Sequence, residues 1–192
     1  NYTTMRIKPL LIILIASLFS ISCGGNRSKS ANVEAVATLE VDALLSGATE
    51  FTEKVIEVEG ICTHICQHGG RKMFLMGSND SKTIRIEAGE LGAFPQHCTN
   101  SIVKVKGTLC EERIDEAYLQ SWEADVAAQT AEEHGDGESG CDTEKKARGE
   151  TANTTAERIA DFRAKIAARK AAEGKEYLSF YYVLALSYEV LK

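Results

Sequence analysis

The sequence has no apolar run long enough to cross a bilayer: residues 10–21 fall short of the ~20 residues that ~30 Å of hydrocarbon requires. It has no C-x-x-C pair, and no helix start falls at Cys62 to lower a thiol pKa, which sets aside thiol redox catalysis. No phosphate-binding glycine loop, Ser/His/Asp order or paired-carboxylate motif stands out. A basic excess is also missing. The net charge of −6 disfavours non-specific binding to nucleic acid or to an anionic membrane surface. His134-Gly-Asp136-Gly-Glu138 lacks the ligand spacing of an EF-hand and reads as a solvated loop.

What is present begins with an export signal. Met5 reads as the start, Arg6 and Lys8 form a short basic region, and the apolar residues 10–21 follow, the layout of a secretory signal peptide over residues 1–22. Ser20-Ile21-Ser22-Cys23 resembles a bacterial lipobox, with Ser20 where most have Leu. This implies lipidation of Cys23 as the first mature residue. Residues 23–36 are then the lipidated cysteine and a small, polar tether (GGNRSKSAN over 24–32). The expected location is the bacterial cell envelope, lipid-anchored and facing the periplasm.

The mature chain is long enough for one domain, expected over residues 37–192. Leu39, Val41, Leu44 and Leu45 are spaced for a short helix over 37–46, closed by Gly47. Residues 55–62 alternate apolar and acidic as a half-buried strand, and Gly60 within it marks a bulge or a barrel corner. Residues 71–76 return, residues 77–80 turn, and 82–88 form a third strand with Ile84, Ile86 and Ala88 facing in. Gly92 and Pro95 break the pattern. Residues 101–110 then form a fourth strand with Val103, Val105 and Leu109 on one face. Two helices follow. Asp115 caps the first, whose stripe is Tyr118, Leu119, Trp122 and Val126. Thr154 and Glu157 form a capping box for the second, which buries Ile159, Phe162 and Ile166 and ends at Gly174. Residues 142–150 are a charged run. The cations of this insertion (Lys145, Lys146, Arg148, Arg158, Arg163, Arg169 and Lys170) read as a solvated face that complements nearby acids. Residues 177–191 are aromatic and β-branched, a final strand.

Five strands with helices before the last predict a mainly β fold: a five-stranded OB-type Greek-key barrel with a helical insertion over 111–176, closed to protect its edges. V-x-V-x-G recurs around Gly60 and in Val103-Lys104-Val105-Lys106-Gly107, and there the chain looks like bacterial periplasmic OB-fold proteins. More closely, through GICTHICQHGGRKMFL and GCDTEKKARGET, it resembles OB-fold lipoproteins of gut Bacteroidales over most of the mature chain. That resemblance implies a fold and a location, and no activity. OB barrels commonly bind single strands with a basic groove and stacking aromatics. Here the second and third strands offer only Phe74, so nucleic acid is not expected as a partner.

The chemistry-bearing residues gather in the first hairpin, where Cys62, His64, Cys66 and His68 occupy every second position. In an extended strand all four point to one side. Thiolate and imidazole suit zinc or copper. Four alternating residues nevertheless span about 20 Å, too far for one ion at bond lengths of about 2.1–2.3 Å. Two or three of them would share a metal with His97, Cys98, His134 or Cys141. Disulfides are the other reading, because an exported chain meets an oxidising compartment. Five cysteines besides Cys23 is an odd number, with Cys110 the natural leftover. Cys62 and Cys66 would need a turn or bulge between them to pair with each other. The expected function is a binding or structural module, held by disulfide or metal, with a small ligand or an envelope protein as partner. The alternative is a metal-binding enzyme or metallochaperone working through residues 62–68.

Overall fold

The computed structural model describes residues 37–67, 69–132, 142–152 and 154–191. Strand β1 (Thr38–Glu40) leads into helices α1 (Val41–Ser46) and α2 (Ala48–Phe51). Strands β2 (Val55–Ile65), β3 (Lys72–Met76) and β4 (Thr83–Glu87) form a meander. Two short 3₁₀ turns, Gly89–Leu91 and Gln96–Cys98, precede β5 (Ile102–Asp115). Helices α3 (Glu116–Glu132), α4 (Asp142–Ala147) and α5 (Thr155–Glu173) follow, and β6 (Tyr177–Leu191) ends the chain. The sheet order is β1-β2-β3-β4-β6-β5, with β5 also pairing β2. The five strands β2 to β6 therefore close on themselves, and β1 is added in parallel to β2. The β4–β6 pair is parallel and the other barrel pairs are antiparallel, consistent with an OB-like barrel.

Alternation decides which side chains fill the barrel. Ile56, Val58, Met73, Leu75, Ile84, Ile86, Val103, Val105, Leu109 and Val183 are all buried in one cluster, and the polar residues between them face out. Helix α1 closes one end of this core with Val41 and Leu44, both fully buried. The helix is shorter than its spacing predicts, because Leu39 belongs to β1 and pairs with Val58. Gly60 sits beside the corner: β2 pairs β5 over Val55–Ile61 and β3 over Ile61–Ile65. No bulge occurs at Gly60 itself. A Cβ there would stand 2.8 Å from Val41 Cγ2 and 3.0 Å from the Met76 carbonyl oxygen, so the glycine admits α1 onto the strand.

The longest seam joins β5 to β6, with a register shift between Lys106 and Gly107. A Cβ on Gly107 would collide with the Leu184 carbonyl oxygen and meet Val183 Cγ1 at 2.6 Å. Both neighbours belong to the partner strand, so neither can turn away. Gly107→Ala is expected to lose about 2–3 kcal/mol of stability, the upper range for overpacking, measured by urea unfolding. A loss of only a few tenths of a kcal/mol would mean that the seam opens without cost.

Beyond the barrel, β5 and β6 continue together as a ribbon, pairing Ile114 with Leu178 and Asp115 with Tyr177. The insertion packs on this ribbon and begins at Glu116 rather than at residue 111, because β5 runs on to Asp115. Ile114, Leu119, Ile159 and Phe162 form a second buried cluster, flanked by Trp122, Ile166, Leu178 and Phe180. The caps agree with the sequence: Tyr118 N donates to Asp115 Oδ1 at 2.9 Å, and Thr154 and Glu157 form the reciprocal box. Gly174 ends α5 in the left-handed conformation. Tyr118 departs from its predicted stripe and is exposed.

Candidate functional site

The alternating cysteine and histidine row does not share one face. The pairing of β2 with β3 shifts between Cys62 and His64, leaving Thr63 as the extra residue of a bulge. One added residue reverses the side-chain parity. Cys62 lies in the barrel core with no exposed surface, whereas His64 is half-buried outside it, with its ring 5.9 Å from the Phe74 ring. Ile65 then takes the next inward position. Cys66 follows the strand, its N–H donating to the Lys72 carbonyl and its carbonyl accepting from Gly70 N–H. The hairpin turns through Gly69 and Gly70, both at positive φ. His97 is exposed on the second 3₁₀ turn, and its neighbour Cys98 is fully buried. Cys23, His68, His134 and Cys141 lie outside the described residues. Among the described residues no group of three or more His, Cys, Asp or Glu side chains could hold a metal ion. The expectation of one ligand row along the strand is corrected by the Thr63 bulge.

Two of the candidates do meet. Residues 98–101 form a tight turn in which Ser101 N–H donates to the Cys98 carbonyl at 3.1 Å. Thr99 has φ −61° and ψ 135°, and Asn100 has φ +67°, the geometry of a type II turn. Asn tolerates that left-handed position better than most residues. The far arm of the turn extends the β2–β5 ladder: Cys62 N–H donates to the Ser101 carbonyl at 2.9 Å, and Asn100 N–H donates to the Cys62 carbonyl at 2.7 Å. Cys62 on β2 and Cys98 on the second 3₁₀ turn therefore enter the same core, both fully buried. Burial, then the neighbouring Cys98 charge, pushes the Cys62 thiol up to about 11. Burial also raises the Cys98 thiol. Cys110 stands apart, half-buried and paired across the seam with Tyr182.

A second constellation, which the sequence did not bring together, covers the outer wall. Phe74, Arg85 and Tyr182 form a row across β3, β4 and β6, through the pairs Phe74–Arg85 and Arg85–Tyr182. Phe74 faces outward yet is fully buried. The Arg85 guanidinium lies 4.8 Å from the Tyr182 ring centre. Helix α4 brings Glu144 to this wall. Glu144 accepts from Lys72 Nζ at 2.8 Å, and its other oxygen accepts from Arg85 and, at 3.2 Å, from Arg148. Glu112 binds Arg85 and Arg148 from β5, and Glu87 faces Arg85 from β4. The charged run of residues 142–150 thus contains a docked helix. Asp142 and Glu144 in its first turn, with Lys145 and Lys146 in its last, follow the helix dipole and are the signal that identifies it. A cleft of about 250 Å³ remains beside it, lined by Phe74, Arg85, Glu144, Arg148 and Phe180 among others.

Burial opposes ionisation of Glu144, but the Lys72 hydrogen bond and the charges of Lys72, Arg148 and Arg85 outweigh it and hold the carboxyl below its ordinary 4.5. A depressed folded pKa contributes stability that is present above 4.5 and lost as pH falls through the folded value. Amides of α4 are expected to keep their hydrogen-exchange protection at neutral pH and to lose it as pH falls below the ordinary 4.5 of the carboxyl, before the barrel amides do. Simultaneous loss across the barrel would contradict a separately latched α4.

The sequence matches no protein-family model and no curated protein. Among solved structures, a chain from Leishmania major Friedlin assigned as an aspartyl-tRNA synthetase is similar over 46% of this chain and 18% of that chain, at 17% identity and a TM-score of 0.29. This chain therefore matches only a small part of that protein's length, and a likeness of this degree carries no argument.

Proposed function

We propose that the chain is a lipid-anchored protein of the bacterial cell envelope whose barrel serves as a binding or structural module. The anchor reading rests on the basic start, the apolar residues 10–21, Cys23 and the polar tether behind it. The binding reading rests on one observation: the cleft between α4 and the outer wall, where Leu45, Ala147 and Phe180 supply apolar surface and Arg85, Arg148 and Glu144 converge. An apolar recess with a few converging polar groups is the usual form of a small-ligand site. Lys72, Arg85 and Arg148 are each held by a carboxylate, so a nucleic-acid backbone would have to displace Glu112 and Glu144. This supports a small polar ligand or an envelope protein over nucleic acid. Among the described residues nothing favours the metalloenzyme or metallochaperone alternative, because the Thr63 bulge turns Cys62 and His64 to opposite faces.

Metabolic labelling with an alkyne fatty acid in a bacterial host tests the anchor. The full chain is expected to label and Cys23→Ala to stay unlabelled; an unlabelled wild-type chain overturns it. Hydrogen exchange tests the cleft. The chain isolated from the envelope is expected to protect residues 83–86 and 143–148 more strongly than the same chain after denaturation, washing and refolding. Equal protection in the two preparations means that the cleft carries no ligand.

A further inference from the structure

We infer that Cys62 and Cys98 are built to close into a disulfide that staples β2 to the turn feeding β5. The two residues reach one pocket of the core from neighbouring backbone segments. Cys62 is tied to Ser101 and Asn100 by the two hydrogen bonds that extend the ladder. The type II turn brings the Cα atoms of Cys98 and Ser101 within about 7 Å. Cys98 is thus held one turn away from the residue that pairs with Cys62; both thiols are free in the structure, with Cys62 Sγ 3.9 Å from the His64 carbonyl oxygen, and closing the bond would set their Cα atoms about 4.4–6.8 Å apart. Neither thiol has any exposed surface. The remaining described cysteines are placed differently: Cys66 lies past the bulge at the hairpin end, and Cys110 belongs to the outward parity of β5. The raised thiol pKa values agree with two sulfurs sharing an apolar pocket. Because neither thiol reaches solvent, the closed, reduced barrel reacts slowly and the bond forms while the chain folds.

The oxidant is a disulfide donor, either an oxidised dithiol protein or oxidised glutathione. One cysteine thiolate attacks the donor disulfide, a mixed disulfide forms, and one donor thiol leaves. The second cysteine thiolate attacks the mixed bond at the protein sulfur. The Cys62–Cys98 bond forms and the second donor thiol departs. The chain loses two hydrogen atoms and the donor gains them. Supply of that oxidant in the cell rests on the export reading above, whereas the pairing itself rests only on the fold.

The test uses the full chain, isolated from cells with an alkylating reagent present and cut with trypsin without reduction. Cys62 and Cys66 fall in the peptide of residues 55–71, and Cys98 in that of residues 86–104. The two peptides are expected to be linked, to stay linked in Cys66→Ser, and to separate in Cys62→Ser and in Cys98→Ser. A link that requires Cys66, or alkylated Cys62 and Cys98 in lipid-labelled chain, overturns the inference. Alkylated thiols in chain that carries no lipid overturn the export reading instead. Refolding the purified chain from urea with oxidised glutathione then decides the pairing. The same link is expected, and its absence rejects it.

Discussion

Replacing Arg158 with alanine is expected to cost about 3–5 kcal/mol of folding stability, the usual penalty for stranding one charge of a buried pair. Arg158 Nε bonds Glu150 Oε2, and the two side chains are only 9% and 1% exposed. Glu150 Oε1 meets no donor among the described residues, so the pair holds a partly unsatisfied carboxylate even when intact. The guanidinium also lies 4.7 Å from the ring centre of Trp122, and the Phe162 ring lies 6.3 Å from that indole, tilted 49° to it. Removing the arginine leaves a bare carboxylate against an aromatic wall. The double variant Arg158→Met with Glu150→Leu is expected to recover most of the loss, because well-packed apolar groups replace a buried ion pair at little cost. The chain's one tryptophan is Trp122, so its fluorescence reports the site directly during urea unfolding. A single variant losing under 1 kcal/mol, or a double variant as unstable as the single, would show that water reaches the pair.

Reducing the Cys62–Cys98 bond is expected to lower stability by about 4 kcal/mol. The closed loop spans residues 63–97, between the 15- and 100-residue loops for which chain entropy gives about 3 and about 4.7 kcal/mol. The loss should appear as a lower urea midpoint in the presence of reductant, with no such difference in Cys62→Ser or Cys98→Ser. Equal midpoints for oxidised and reduced wild type would mean that the turn of residues 98–101 already holds the unfolded chain as tightly as the bond does.

The barrel was legible because its strands report burial by alternation. Ile84, Ile86 and Ala88, or Val103, Val105 and Leu109, need only one buried face for their pattern to show. Caps were legible for a similar reason: Asp115 and Thr154 act within a turn of their own position. The candidate site was not. A row of Cys and His at every second position implies a shared face only while the strand keeps its register. The Thr63 bulge is set by pairing with Phe74 and Leu75, ten or more residues downstream. Tertiary context likewise moved Leu39 from helix to strand, through its pairing with Val58. Helix α4 is too short for apolar periodicity, and its docking depends on Lys72, Arg85 and Glu112, residues far apart in the chain. The cations of the insertion do pair with nearby acids, but Arg158 does so buried and Arg148 half-buried rather than on a solvated face.

That division of the hairpin, sulfur inward and imidazole outward, is open to one decisive measurement: native mass spectrometry of the full chain with and without reductant, in wild type, Cys62→Ser and His64→Ala. Wild type and His64→Ala should each gain the mass of two hydrogens on reduction relative to Cys62→Ser, with any bound metal unchanged by either substitution. A zinc or copper ion held by the reduced wild type and lost in both variants would place Cys62 and His64 on one ion and contradict the bulge.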